Sequence, residues 1–210
     1  LNFEQESRNE TKDLAHELQE ASRRLESERD GFAVLTGAEY AVPPIANLGE
    51  LAQRPAFDLM QVANVGQALG PCDLTQVLQT SNVWHGYISN LATHFGKAFF
   101  SNRVGIKLSK ITGDQCRLFH IDFVRVRLIL TLAGPGTQFL LEKDINRAGL
   151  GQGDNDLVIR QGADWQNAAT SQIHLMRGER WRRGAGLVHR SPAIEGSGLW
   201  RLTLTMDLLD

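Results

Sequence analysis

Cysteine is scarce in this chain: its 210 residues hold two, Cys72 and Cys116, and neither sits in a C-x-x-C pair. A disulfide framework is thereby excluded, and the six histidines become the better source of metal ligands. Long apolar runs are also missing. No stretch approaches the roughly 18 apolar residues of a membrane span. Charge of one sign is not in excess either, with 22 Lys+Arg against 24 Asp+Glu and a formal net charge of −2. That balance argues against a whole-chain nucleic-acid binder, which is usually strongly basic, while leaving room for a local basic patch. No G-x-S-x-G surrounds any serine, so a serine-hydrolase nucleophile turn is excluded. Gly149, Gly151 and Gly153 alternate, but no G-K-[ST] follows them, so they do not form a phosphate loop. The first ten residues, LNFEQESRNE, lack the apolar stretch of a signal peptide. A chain starting at Leu1 is expected to have lost its true start. A soluble, reduced, cytoplasmic protein is expected.

What is present is a chain long enough for one full domain or one with an appendage. At 42% hydrophobic residues it can bury a sizeable core. Residues 1–30 carry nine acids and five bases, leaving 15 acids and 17 bases for the rest. Within them Leu14, Leu18, Ala21 and Leu25 recur at helical spacing, which predicts an amphipathic helix docked on its own domain. A helix pairing two copies into a homodimer is the alternative. Residues 31–102 read as a mostly helical cover: a short strand and a Pro43-Pro44 loop, then helices over 47–100. The clearest of these runs from 82 to 99, where Trp84, Ile88, Leu91, Phe95 and Phe99 share a face.

From residue 103 the pattern changes to short β-runs at 103–111, 116–122, 126–133, 136–141, 157–161, 172–177, 186–190 and 198–206. Eight strands broken by Gly, Pro, Asn and Asp predict a jelly roll or barrel, not a parallel α/β sheet. The expected fold class is therefore α+β with a mainly β core over 103–210. The polar break at 142–156 is long enough to be functional or mobile.

Within 116–122, His120 and Asp122 stand two apart, so on a strand they point the same way while Ile121 points away. An imidazole and a carboxylate so placed can share one cation. His189, 67 positions after Asp122, can supply a third ligand. Two histidines and a carboxylate leave coordination positions open, as in non-haem Fe(II) oxygenases, and Zn2+ accepts the same set. In the last strand Leu202, Leu204 and Met206 alternate with Arg201, Thr203 and Thr205. One face is apolar, and the other carries a guanidinium beside two hydroxyls. An inward guanidinium needs an anion: a bound carboxylate, or an internal partner among Glu142, Glu195 and Asp207. Of the other histidines, His85 is expected to be solvated and His94 structural. His174 in mid-strand could replace one ligand but lacks the downstream Arg-x-Thr relation. Cys116, four before His120, reads as a buried small residue or a soft neighbour of the ligands. Arg177, Arg180, Arg182, Arg183 and Arg190 around Trp181 read either as a basic rim steering an anion or as a solvated loop.

The series H-x-D … H … R-x-T resembles the Fe(II)/2-oxoglutarate-dependent dioxygenase superfamily, whose core is a double-stranded β-helix. The turn Gly134-Pro135-Gly136-Thr137 is similar to the Gly-rich turn that follows the H-x-D strand in several such enzymes. More closely, CRLFHIDFVRVRLILTLAGPGTQFL with GLVHRSPAIEGSGLWRLTLTMD resembles an uncharacterised bacterial domain-of-unknown-function family. The resemblance spans about 103–210. It implies Fe(II) held by His120, Asp122 and His189, and 2-oxoglutarate as cosubstrate, its distal carboxylate on Arg201 with Thr203. It also implies oxidation of a small molecule or peptide coupled to succinate formation. The second arginine of the superfamily's nucleic-acid demethylases is missing from Leu202 to Asp207, which speaks against nucleic acid as substrate. A non-catalytic divalent-metal-binding or metal-homeostasis protein on a cupin-like barrel is the competing reading.

Overall fold

Alternation in the strands builds this molecule, because a sheet can bury one face against helices and turn the other toward a site. The computed structural model describes residues 2–35, 42–70, 73–78, 81–181 and 185–209, with side chains described from residue 14 onward, Ser81 excepted. Cys72, Arg182 and Arg183 lie outside the described residues. The elements, in chain order, are α1 (Asn2–Ser27), β1 (Phe32–Val34), α2 (Leu48–Gln53), β2 (Phe57–Asn64), α3 (Asp73–Gln76) and α4 (Ser81–Ala98). They continue with β3 (Arg103–Ile111), β4 (Val126–Ala133), β5 (Gln138–Phe139), β6 (Gln166–Asn167), β7 (Ile173–Arg177), β8 (His189–Arg190) and β9 (Arg201–Leu208).

Six strands form an antiparallel sheet in the order β1-β7-β4-β9-β3-β2, and three short ones a second sheet, β6-β5-β8. On one face of the larger sheet Leu128, Leu130, Leu175, Leu202, Leu204 and Met206 pack against α1 and α4 in the main core. The helical stripe Leu14, Leu18, Ala21 and Leu25 is buried in that same core. Each fully buried leucine there contributes about 1.5–3 kcal/mol. The opposite face meets the smaller sheet across Ile129, Met176, Phe139, Ala168 and Leu187. Two facing antiparallel sheets with helices on one side make a mixed, jelly-roll-like core.

Several expectations need correction. Residues 57–64, read as helical, are the edge strand β2, paired with β3 along its whole length. Its outward side chains Met60 and Val62 are apolar yet exposed, which blurs the period-2 signal. Residues 116–122 do not form a strand: only His120 pairs, in an isolated bridge to His189. Ile159 likewise makes just one bridge, to Ile145. The α4 helix, by contrast, lies within one residue of its expected limits, with Trp84, Ile88, Leu91, Phe95 and Phe99 all buried.

His174 is 2% exposed on β7 and stacks on Phe32, ring centroids 5.2 Å apart. Burial pushes its pKa down to about 4. The unfolded chain, with an ordinary histidine pKa near 6.5, therefore binds this proton more readily. The neutral imidazole's stabilisation is intact above pH ~6.5 and falls away as pH drops toward about 4, a loss on the order of 3 kcal/mol. Urea unfolding at pH 7 and pH 4.5 should show a smaller acid loss in His174→Leu than in the wild type. Equal losses would place the acid sensitivity elsewhere.

Candidate metal centre

The larger sheet carries the site on its open face through cross-strand rows of side chains. Asp207 on β9 lies opposite Arg127 on β4, and Thr203 opposite Ser109 on one side and Thr131 on the other. Above them, His120 and His189 are locked together by two backbone hydrogen bonds: His120 N–H donates to the His189 carbonyl at 2.9 Å and His189 N–H to the His120 carbonyl at 3.0 Å. The 142–156 segment adds a clamp. Asn155 accepts the Phe119 N–H through Oδ1 at 2.8 Å and donates through Nδ2 to the Arg117 carbonyl at 3.1 Å. That clamp holds a non-strand segment in a fixed course, so His120 and Asp122 reach one point without a regular strand beneath them. Ile121 turns away into a separate apolar cluster with Phe119, Leu140 and Val188.

His120, Asp122 and His189 offer ligand atoms that all lie within 4.8 Å of one another. Nε2 of His120 is 3.4 Å from one Asp122 oxygen, and Nε2 of His189 is 3.2 Å from the other. Each ring's Nδ1 faces a backbone carbonyl, Leu118 at 2.9 Å for His120 and Leu187 at 3.1 Å for His189. Such contacts fix the tautomer and aim Nε2 at a shared ion. Burial opposes ionisation of Asp122, but hydrogen bonds from His120 and His189 and the charge of Arg127 outweigh it, holding the carboxyl well below the usual carboxylate range. The contact with Asp122 in turn raises the pKa of His120 against the effect of burial. Two aimed imidazole nitrogens and an ionised carboxylate fit a divalent metal of borderline character.

Arg201 is 2% exposed at the floor of the same cavity. Nη2 donates to Thr137 Oγ1 at 3.1 Å, while among the described residues Nε has no partner. Among the described residues no carboxylate pairs with it. Glu142 is taken by Arg147 and Asp207 by Arg127, and Glu195 is exposed. The internal salt bridge expected as one option is therefore absent there, and burial alone pushes the guanidinium pKa down to about 10. Thr203, 5% exposed, lines the cavity beside it. Thr137 is delivered by the Gly-rich turn. Gly134 has φ +79°, and a Cβ there would stand 2.0 Å from the Trp200 carbonyl oxygen; one on Gly136 would stand 1.7 Å from that of Ala168. Only glycine lets the turn lie that close.

The cavity, about 540 Å3, is lined by Ile111 and Ile129 and, at exposed positions, by Met60, Val62 and Leu209. Three residues without a predicted site role stand in it: Arg127; Thr137, named above only within the Gly-rich turn; and Asp207, named above only as a possible partner of Arg201. A cross-strand register would have exposed Arg127 and Asp207, and that register is not readable from the chain alone. Cys116, read as a buried small residue or a soft neighbour of the ligands, is not buried but exposed at the wall of the cavity that holds them, with φ +28°, because its segment is not a strand. His174 stays away from the cluster in the core described above. Of the arginine rim, Arg177 is buried and donates to the Arg29 carbonyl, Arg190 lies between the Phe119 and Trp165 rings, Arg180 is exposed, and Arg182 and Arg183 lie outside the described residues.

The chain is similar in fold to TqaL, an Fe(II)/α-ketoglutarate-dependent dioxygenase, with TM-score 0.52 at 10% identity, covering 94% of this chain and 88% of that one. Other similar structures are a Pseudomonas putida prolyl-4-hydroxylase (TM-score 0.46, 12% identity, 91% and 97% covered) and a full-length Neurospora crassa protein in complex with α-ketoglutarate and 5-formyluracil (0.47, 11%, 91% and 78%). No curated protein matches the sequence. The chain belongs to the family described as protein of unknown function, DUF1826, which matches residues 8–207. Among the described residues, no helix is long and apolar enough to cross a membrane.

Proposed function

We propose that this chain is a non-haem Fe(II)/2-oxoglutarate-dependent oxygenase of the hydroxylase type, acting on a small molecule or peptide. Its core would be a double-stranded β-helix over 103–210, with the helices of 1–30 and 31–102 as cover. One observation carries the reading: a His–Asp–His cluster shares its cavity with a fully buried arginine that has no carboxylate partner among the described residues. A protein that merely stored a metal would have no use for that arginine, since an unpaired buried charge costs several kcal/mol.

In this reading His120, Asp122 and His189 would hold Fe(II). Arg201 and Thr203 bind the distal carboxylate of 2-oxoglutarate, with Thr137 steadying the guanidinium. Bound Fe(II) supplies the redox chemistry that couples decarboxylation of 2-oxoglutarate by O2 to oxidation of the second substrate. Ile111, Ile129 and Met176 line the cavity with apolar surface and keep water from the cosubstrate. The cavity volume suits a small molecule or one peptide side chain, and its open side at Met60, Val62 and Leu209 is where that substrate would enter.

The test is thermal. With Mn(II) as a redox-silent stand-in, 2-oxoglutarate at about 100 times its Kd adds roughly 2.7 kcal/mol, or about 5–10 °C in melting temperature for a chain this size. No shift at millimolar 2-oxoglutarate, with metal bound, would sink the reading.

A further inference from the structure

A metal-ligating carboxylate must be held as firmly as the histidines beside it, and Asp122 sits on a segment with no strand to hold it. We infer that Arg127, anchored by Asp207, is the positioning residue for Asp122, an inference that rests on the metal reading above. The Arg127 guanidinium spans two carboxylates. Nε and Nη2 form a bidentate pair with Asp207, at 2.8 and 2.7 Å. Nη1 donates to Oδ2 of Asp122 at 2.5 Å.

Each link has a reason in the fold. Arg127 and Asp207 are direct cross-strand partners on β4 and β9, so the bidentate pair is fixed by the register of the two central strands. Such a planar fork has little freedom left. Its remaining nitrogen therefore points at one place, and Asp122 occupies it. The opposing pulls also set the electrostatics. One cation between two anions leaves the trio with a net −1, which is the charge of the single carboxylate a divalent ion needs. Arg127 holds Oδ2, which also lies 3.2 Å from His189 Nε2, while Oδ1 faces His120 Nε2 at 3.4 Å, so the guanidinium fixes the plane in which the carboxylate meets both imidazoles. Lysine could not do this, because a single ammonium cannot pair bidentately with Asp207 and still aim a second donor at Asp122.

The experiment is Co(II) titration of the purified, metal-free full chain, read by its visible d–d spectrum and by the dissociation constant. Outer partners of metal ligands typically contribute roughly 10–100-fold in affinity. Arg127→Met should lose affinity by about that factor and show an altered d–d band, reporting a changed carboxylate mode. Arg127→Lys should fall between the two. If Arg127→Met does not fold, Arg127→Lys carries the test alone, with affinity expected roughly 3–10-fold weaker and the band displaced. Variants that match the wild type in both affinity and spectrum overturn the role of Arg127 while leaving the metal site standing. Wild-type protein that takes up no Co(II) overturns the metal reading, and this inference with it.

Discussion

Arg201→Met should make the metal-free protein more stable and at the same time weaken 2-oxoglutarate binding by roughly 100-fold or more. The two effects have one origin. The guanidinium is 2% exposed, keeps a single described hydrogen bond to Thr137, and leaves Nε without an acceptor among the described residues. A charge held that way is costly in the empty protein, and replacing it with an apolar side chain of similar length is expected to stabilise by about 1–4 kcal/mol. The same charge becomes favourable when a carboxylate arrives, because a charge-assisted, bidentate contact in a dry cavity is among the strongest polar interactions. Truncating one partner of such a pair typically costs about 2–5 kcal/mol, so affinity for 2-oxoglutarate should drop by roughly 100-fold or more. Urea unfolding of the metal-free proteins reads the first effect, and calorimetric titration of the Mn(II)-loaded proteins the second. A variant that is less stable and binds 2-oxoglutarate normally would make Arg201 a structural residue.

The second large effect concerns the ligands. Asp122→Ala and His189→Ala should each lose divalent-metal affinity by more than the roughly 10–100-fold typical of an outer partner. The folded chain should survive both changes. Asp122 lies outside the apolar clusters, and its removal leaves Arg127 paired to Asp207. His174→Leu is the control: it alters a buried histidine in the inter-sheet core and should keep wild-type metal affinity. Metal retained by His189→Ala and lost by His174→Leu would reverse the choice made among the histidines.

Much of this site was legible because its chemistry rides on local pattern. In β9 the strict alternation of Leu202, Leu204 and Met206 with Arg201, Thr203 and Thr205 places the guanidinium opposite the core whatever the rest of the fold does. His120 and Asp122 also meet, though for a different reason than expected: the Asn155 clamp and the bridge to His189 hold them, not a strand. The parts that were hidden depend on register or on surroundings. Arg127 and Asp207 are 80 residues apart and become partners only through strand pairing. The β2 strand escaped because Met60 and Val62 are apolar on its open side and Gln61 is polar in the inward row of Phe57, Leu59 and Ala63, so the polar/apolar alternation breaks down in mid-strand. Its helical reading failed where the cavity, and not the core, set the side-chain choice. Likewise, the exposed position of Cys116 follows from a left-handed backbone that no periodicity announces.

The central claim is that one cavity holds a divalent metal on His120, Asp122 and His189 and a dicarboxylate on Arg201. Anaerobic titration of 2-oxoglutarate into the Fe(II)-loaded chain tests both halves together. The account predicts a visible charge-transfer band that saturates at one equivalent and is missing from Arg201→Met at the same concentration. Tight Fe(II) binding with no such band at any 2-oxoglutarate concentration would contradict it.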